Sequence, residues 1–499
     1  MTFQPELQRG IIFLLLAIIR NDLKTYQALS EIQYDLQSGT ITCAGLVRSY
    51  LDEIVKKQNL NAFLEVYERE AIANAQLIDQ KIKECRAGKL AGLVIGVKDV
   101  IAHKGHKLSA ASKILEGFES LFTSSALQRL LDEDVIVIGR LNCDEFAMGS
   151  SNEHSAYGVV RNPLDPSRVP GGSSGGSAVA VKAGLCHASL GSDTGGSVRQ
   201  PASFCDLIGL KPSYGRISRY GLVAYASSFD QIGIFTHSIE DAAILLELMS
   251  GADGMDSTAS SEPVPHYGKF LARSEKSRVA YFKECIHHKS IDHEIRKRLE
   301  EICAQLKDQG HIVEEVEFPL LDFLVPAYYI LTAAEASSNL SRYSGIHYGV
   351  RSKNSHDLLS TYSASRTEGF GKEVQRRILL GTFILSEGYY DAYYGKAQKM
   401  RRLIRDQAFD ILDDYDFILM PSSPNTAFRF NEKSDPVTMY LEDIFTVLAN
   451  LCGLPAISLP LGRHSNGMPF GIQLISGRFQ EGRLLAFSNQ ICKKFRVLA

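Results

Sequence analysis

Leu93-Val-Ile-Gly-Val-Lys98 is a continuous apolar run closed by a lysine, with Lys89 and Gly92 ahead of it and Asp99 behind. A run this short, rich in β-branched residues and bounded by glycine and charge, reads as a strand buried on both faces, as the strands of parallel sheets are. Val135-Ile-Val-Ile-Gly139 repeats the pattern. Upstream, from about residue 23 to 89, apolar residues instead recur every three or four positions, in 44–54 and again in 71–82, which is helical spacing. Helices around buried strands mean an α/β fold, with a mixed, mostly buried central β-sheet flanked by helices on both faces.

Downstream, residues 163–176 form a loop rich in Pro, Gly and Ser. Residues 178–183 follow as a helix of small residues, and 191–197 as a second Gly/Ser loop. Past Ser250-Gly-Ala-Asp-Gly254 a polar stretch reads as an insertion. A strand at 278–282, a helix at 293–308 and a strand at 312–316 come next. Helical patterns fill 323–413, and strands return at 417–420, 456–459 and 470–475. The expected organisation is an atypical apolar segment at 1–25 and a single domain over 26–499. That domain divides into a helical part at 26–90, a core at 91–250, a polar insertion at 251–277 and a remainder at 278–499.

A chain of 499 residues with 45% hydrophobic and 22% charged residues has the composition of a globular protein, which excludes a largely disordered or fibrous one. Its 54 basic and 57 acidic side chains give a net charge of -3, so there is no overall positive field to gather polyanions. The nine cysteines are scattered, with no Cys-x-x-Cys pair, and read as reduced thiols in a cytoplasmic protein. The uncharged run from Gly10 to Ile19 is about half of the ~20 residues that a bilayer helix needs. No small-x-small cleavage pattern follows it, so the favoured reading is a helix docked on the body or a start codon assigned too early, with no membrane involved; a membrane-associated turn and a targeting signal are the lesser alternatives.

Gly171-Gly-Ser-Ser-Gly-Gly-Ser177 and Gly191-Ser-Asp-Thr-Gly-Gly-Ser197 share the tail Gly-Gly-Ser. Paired glycines let backbone N–H groups approach a ligand closely. Neither loop has the spacing of a P-loop or of a dinucleotide fingerprint. A flexible linker fits poorly between apolar segments that look buried. The remaining reading is a nucleophilic serine whose attack is supported by neighbouring N–H groups, and such a serine needs a base. The 13 histidines carry no local signature pairing one with either loop. Lys98, at the end of a buried strand, is the alternative: desolvation lowers an ammonium pKa, although a lone lysine so placed is far more often a solvated cap. Cys285-Ile-His-His-Lys-Ser-Ile-Asp-His293 crowds metal-binding residue types but lacks the paired short spacings of zinc sites, and reads as a solvated loop. Cys205 has no basic neighbour to make a thiolate.

Taken together, Gly96-Val-Lys-Asp99, Pro170-Gly-Gly-Ser-Ser-Gly-Gly-Ser177 and Gly191-Ser-Asp-Thr-Gly-Gly-Ser-Val-Arg-Gln-Pro201 resemble the amidase signature family. The resemblance implies a Ser-Ser-Lys triad with Ser197 as nucleophile, Ser173 as the bridging serine on a cis peptide, and Lys98 as general base. Backbone N–H groups of Thr194, Gly195 and Gly196 would then hold the oxyanion, and no metal is required.

Within the family, residues 141–150, 209–216, 221–233 and 368–381 resemble the glutaminase subunits of tRNA-dependent amidotransferases, a likeness that runs from about residue 30 to 495. It implies that glutamine is the substrate and that its ammonia amidates misacylated Glu-tRNA(Gln), Asp-tRNA(Asn) or both. It also implies a heterotrimer with two other subunits, a partner that handles ATP, magnesium and chiefly the tRNA, and no cofactor in this chain. Glutamine's α-carboxylate suits a two-pronged arginine, which the resemblance places at Arg377, and its α-ammonium suits Asp443; Tyr328 would close the pocket. Arg376 points about 100° away from Arg377 on a helix, so only one of the two faces inward. Cys143 stands where the family usually has methionine, Thr123-Ser-Ser-Ala126 replaces a stretch that usually contains Asp, and residues 1–25 match nothing in it. The alternatives are a stand-alone amidase on simple amides and a scaffold protein with a dead site.

Overall fold

The structure is a computed structural model that describes residues 25–433 and 435–495, so the apolar segment expected at 1–25 lies, up to residue 24, outside the described residues. The apolar runs form strands where the sequence places them. Leu93–Val97 lies within one residue of β2 (Val94–Lys98), whose five residues are all buried, and Val135–Gly139 within two residues of β3 (Ile136–Leu141). They join β1 (Phe63–Val66), β4 (Ala188–Asp193), β5 (Ile208–Lys211) and β6 (Gln231–Thr236). The second half of the chain adds β7 (Arg278–Phe282), β8 (Ile312–Val316), β9 (Phe417–Pro421), β10 (Ala456–Arg463) and β11 (Pro469–Ser476). All eleven belong to one sheet, in the order β1-β3-β2-β4-β6-β5-β10-β11-β9-β7-β8. The sheet is mixed: β2 runs parallel to β3 and β4, β7 runs parallel to β8 and β9, and the central strands pair antiparallel.

This order positions the site. Because β2 and β4 are parallel neighbours, Lys98 at the end of one and Asp193 at the end of the other reach the same edge of the sheet. Loops at the carboxyl ends of parallel strands are the usual place for ligands in such sheets. The helix Gly175–Lys182 starts at this edge and packs back on β2, β4 and β6. From the second half, the helices Leu324–Asn339 and Lys372–Ile384 pack on each other. Gly381 is what lets them touch, since a Cβ there would collide with the carbonyl oxygen of Ala333.

Four strands escaped the sequence patterns. β4, Ala-Ser-Leu-Gly-Ser-Asp, has small and polar residues in place of β-branched ones, yet it is held between β2 and β6 and fully buried. Tertiary context outweighs propensity in such a strand. The loop expected at 191–197 is therefore shorter: Gly191, Ser192 and Asp193 are strand, and only Thr194 onward turns away. β1 is a four-residue edge strand inside the stretch read as helical, and β5 and β6 are short runs that contain glycine. The expected loop at 285–293 begins inside a short helix, Lys283–Ile286, where Cys285 is buried.

Candidate active site

Lys98 is fully buried, and its Nζ lies 2.8 Å from Ser173 Oγ, 2.8 Å from Ser174 Oγ and 2.9 Å from Ser192 Oγ. Burial pushes its ammonium down to about 8, against the opposing pull of Cys143, Asp144 and Asp193 nearby. The reading of Lys98 as a solvated cap is thereby overturned. A neutral amine has two N–H groups and one lone pair. Ser174 Oγ already donates to the carbonyl of Ser192 at 3.1 Å, so towards Lys98 it can only accept. With Ser192 Oγ as the second acceptor, the lone pair is left for the hydroxyl proton of Ser173, which is the direction a proton relay needs.

Ser173 follows a cis peptide from Gly172. Gly172 must be glycine here, because a Cβ would strike the carboxylate of Asp144, and its N–H donates to Gln200 Oε1 at 3.0 Å. Asp144 accepts backbone N–H groups from Asn152 and His154, which ties residues 150–154 under the loop. Ser197 stands at the start of the next turn, and Ser174 N–H donates to its carbonyl at 3.3 Å. Among the described residues Ser197 Oγ makes no hydrogen bond, so the link from Ser173 to Ser197 is open in this arrangement. Such bonds often tighten only once substrate is bound.

The turn is folded around the carboxylate of Asp193, which accepts from Gly196 N–H at 2.8 Å and Val198 N–H at 3.1 Å and is forked by Arg199 at 3.0 and 3.1 Å. Burial alone would raise the Asp193 carboxyl, but the Arg199 guanidinium outweighs it and holds the group well below the carboxylate range. This corrects one expectation. The N–H of Gly196 is spent on Asp193, so of the three expected oxyanion donors Thr194 and Gly195 remain, with Ser197 N–H alongside; none of these three is engaged among the described residues. Gly195 and Gly196 are needed for space: a Cβ would collide with the Tyr328 hydroxyl at the first and with Thr446 Oγ1 at the second, where φ is +128°.

Tyr328 thus lies directly over the turn, and the next residue connects it to the other expected ligands. Tyr329 Oη donates to Asp443 Oδ2 at 2.8 Å, and Ser150 Oγ reaches both oxygens of Asp443 at 3.0 Å. Burial pushes the Asp443 carboxyl up to about 7, with the Tyr329 and Ser150 hydrogen bonds opposing. Arg377 is buried with its guanidinium 5.2 to 5.5 Å from the ring centres of Tyr225, Tyr329 and Tyr440. Its Nε donates to Glu373 Oε1 at 2.8 Å and its Nη1 to Tyr225 Oη at 2.6 Å. Arg376 has a half-exposed side chain and pairs with the other oxygen of Glu373. The choice between the two is settled for Arg377 as the inward one.

All the triad and pocket residues read from the sequence therefore fall in one region. The sequence missed the supporting set: Ser174 and Ser192 around Lys98, Asp193 and Arg199 under the turn, and Glu373, Tyr225, Tyr329, Tyr440 and Ser150 around the pocket. Arg199 stood in the quoted Gly191–Pro201 motif two residues after Ser197, and Glu373 is one helical turn before Arg377, so both carried a readable signal. Tyr329 adjoins Tyr328, Tyr440 lies three residues before Asp443, and Tyr225 and Ser150 fall inside the quoted stretches 221–233 and 141–150, but no local pattern marked any of the four as a pocket residue. A cavity of about 700 Å³ shares Tyr329 and Tyr440 with the pocket, and one of about 470 Å³ shares Glu373. Cys205 is buried away from any thiolate-stabilising charge strong enough to matter, and burial pushes its thiol up. No helix among the described residues is long and apolar enough to cross a membrane.

Comparison with known proteins bears on the same region. A family model described as Amidase matches residues 45–485. The A subunit of glutamyl-tRNA(Gln) amidotransferase from Chlorobium limicola is 48% identical over 476 residues, covering 95% of this chain and 100% of that protein. The crystal structure of the corresponding glutamyl-tRNA(Gln) amidotransferase protein from Thermotoga maritima superposes with a TM-score of 0.75 at 41% identity, over 91% of this chain and 92% of that one. The native peptide amidase of Stenotrophomonas maltophilia superposes with a TM-score of 0.80 at 25% identity, over 96% and 98% of the two chains.

Proposed function

The chain belongs to the amidase family, and from that membership we propose that it is the glutamine-hydrolysing subunit of a glutamyl-tRNA(Gln) amidotransferase. One observation carries the proposal: Tyr328 packs over Gly195 in the turn that carries Ser197, and its neighbour Tyr329 touches both a buried carboxylate, Asp443, and a buried arginine, Arg377, so the Lys98–Ser173 relay has two buried charges beside it. A simple amide needs the relay alone. Free glutamine needs both charges as well, one for its α-carboxylate and one for its α-ammonium.

In the reaction Lys98 takes the proton of Ser173, Ser173 takes that of Ser197, and Ser197 Oγ attacks the γ-carbonyl of glutamine. Thr194 and Gly195 N–H groups would receive the oxyanion, a contribution of about 3 to 4 kcal/mol for each well-placed donor. The protonated relay then gives its proton to the departing amide nitrogen, which leaves as ammonia. Water, deprotonated by the same relay, cleaves the ester, releases glutamate and restores Ser197. Asp443 must be ionised to pair with the α-ammonium, and a substrate cation beside it favours that form.

The ammonia passes to partner subunits, where it amidates a glutamyl group, an aspartyl group or both on misacylated tRNA. We infer a heterotrimer whose partners hold ATP, magnesium and most of the tRNA, with this chain working in the cytoplasm and contributing no cofactor. The net charge of -3 supports a chain that leaves the tRNA to others. The test is ammonia release from glutamine by the chain alone and coexpressed with its candidate partners, with ATP and misacylated tRNA, using Ser197→Ala as the blank. Release that rises sharply in the complex and vanishes in the blank supports the proposal. Equal turnover of simple amides by the isolated chain, unaffected by Arg377→Ala, would make it a stand-alone amidase.

A further inference from the structure

Five residues past Lys98 the chain turns sharply through His103-Lys-Gly-His106. His106 N–H donates to the carbonyl of His103 at 3.1 Å, and Gly105 takes φ +78° at the third position, where glycine is favoured. The turn is pinned on both sides, by Gly105 N–H to Ser120 O at 2.8 Å and Ser120 N–H to His106 O at 2.9 Å. It brings the two imidazoles face to face, with ring centres 4.2 Å apart and planes 19° from parallel. Tyr67 backs the pair, its ring centre 4.0 Å from that of His106. Glu70, on the first turn of the helix Glu68–Lys83, reaches His106 Nε2 at 3.1 Å.

We propose that Glu70, His103 and His106 bind a divalent transition-metal ion of the zinc class, outside the amidase centre and apart from its chemistry. Each residue offers one ligand atom, and the three atoms lie within 4.8 Å of one another. Two ligands on a tetrahedral zinc, each about 2.1 Å from the metal, stand about 3.4 Å apart, so small side-chain rotations close the set. Two imidazoles and a carboxylate are the donors of zinc, nickel and cobalt sites, whereas calcium and magnesium want oxygen alone. Three protein ligands leave a fourth position for water, and the exposed Glu70 leaves that position open to solvent.

A second observation points the same way: Nδ1 of His103 is buried and has no hydrogen-bond partner. Buried polar atoms are normally satisfied. A stacked pair of imidazoles with an orphaned nitrogen, beside a carboxylate, is short of a cation. Lys104 and Lys107 flank the turn but are exposed, where water and salt screen their repulsion of an ion. The ion would join the segment that follows β2 to the helix Glu68–Lys83, and so brace the strand that carries Lys98. The crowd at 285–293, which the sequence offers as the obvious metal candidate, assembles no such group among the described residues.

The full-length chain, stripped with chelator, is titrated with zinc(II) against a chromophoric indicator, and with cobalt(II) while its visible absorption is recorded. The expected result is one equivalent bound, a tetrahedral cobalt spectrum, and a melting temperature that rises with zinc. His103→Ala and His106→Ala should each weaken binding by about tenfold or more, and Glu70→Gln by less, while all three variants keep the parental circular dichroism and glutamine hydrolysis. The proposal is overturned if no saturable equivalent binds. It is equally overturned if binding survives both histidine variants, or if it disappears in Cys85→Ser, which would move the ion to the exposed thiol.

Discussion

Asp443→Asn is expected to make the protein more stable and nearly useless. The Asp443 carboxyl is buried and raised from 3.8 to about 7, so at pH 8 the folded chain carries a charge that burial opposes. The folded state holds its proton up to about pH 7, whereas the unfolded state releases it near pH 4. Stability therefore falls as pH climbs between those values, and the loss is complete above the folded pKa. The gap between 3.8 and about 7 corresponds to about 4 kcal/mol, an upper bound on what the neutral amide recovers at pH 8. Tyr329 Oη and Ser150 Oγ, which now donate to the carboxylate, can turn to accept from the amide, so the substitution strands no polar atom. For a chain of this length about 4 kcal/mol raises the melting temperature by a few degrees.

Binding moves the other way. With no carboxylate opposite the α-ammonium of glutamine, one side of a buried charge pair is gone, which costs about 2 to 5 kcal/mol, or at least roughly 30-fold in KM. The assays are melting curves of both proteins from pH 5 to 8.5 and glutamine saturation curves at pH 8. The expected pattern is a stability advantage for the variant that grows with pH and levels off above about 7, together with the loss of glutamine affinity. A variant less stable than the parent at pH 8, an advantage independent of pH, or an unchanged KM would each refute the argument.

The remaining expectations concern the same pocket. Because Lys98 acts as a base only when neutral and its ammonium is lowered to about 8, glutamine hydrolysis at saturating substrate should rise with pH and level off above about 8, and Lys98→Met should abolish it without unfolding the chain; a rate that falls over this range would contradict the role. Glu373→Gln removes the charge opposite buried Arg377 and should lower stability by about 3 kcal/mol and raise KM while leaving kcat near the parental value; a change confined to kcat would argue against a positioning role. Arg377→Lys keeps the charge but loses the planar fork, and should raise KM roughly 10- to 100-fold in steady-state assays. Gly196→Ala places a methyl group against Thr446 Oγ1 at φ +128° and should eliminate turnover, read as ammonia release, because the turn carrying Ser197 has to move.

Apolar runs flanked by glycine and charge were enough to read β2, β3 and the C-terminal strands, because burial on both faces leaves a continuous signature. β4 left none, since its Gly191, Ser192 and Asp193 are chosen for the site they abut: Ser192 holds Lys98 and Asp193 holds the turn. The triad was legible because its members sit in short motifs. The pocket was legible only at Arg377, Asp443 and Tyr328, and only through resemblance. Its supporting tyrosines, Tyr225, Tyr329 and Tyr440, come from three distant segments that meet around one guanidinium, and no local pattern encodes such a meeting. The oxyanion assignment failed at Gly196 because a motif names residues without saying which N–H is already committed, here to Asp193.

The central claim is that Ser197, served by Ser173 and Lys98, forms an ester with the γ-carbonyl carbon of glutamine. Its most direct test is to mix the assembled protein with glutamine, quench in acid during the first turnovers, and map the modified peptide by mass spectrometry. The account predicts a γ-glutamyl group on Ser197 alone, absent from Ser197→Ala and reduced to the blank level in Lys98→Met. Modification of Ser173 or Ser174 instead, or full turnover by Ser197→Ala, would contradict it.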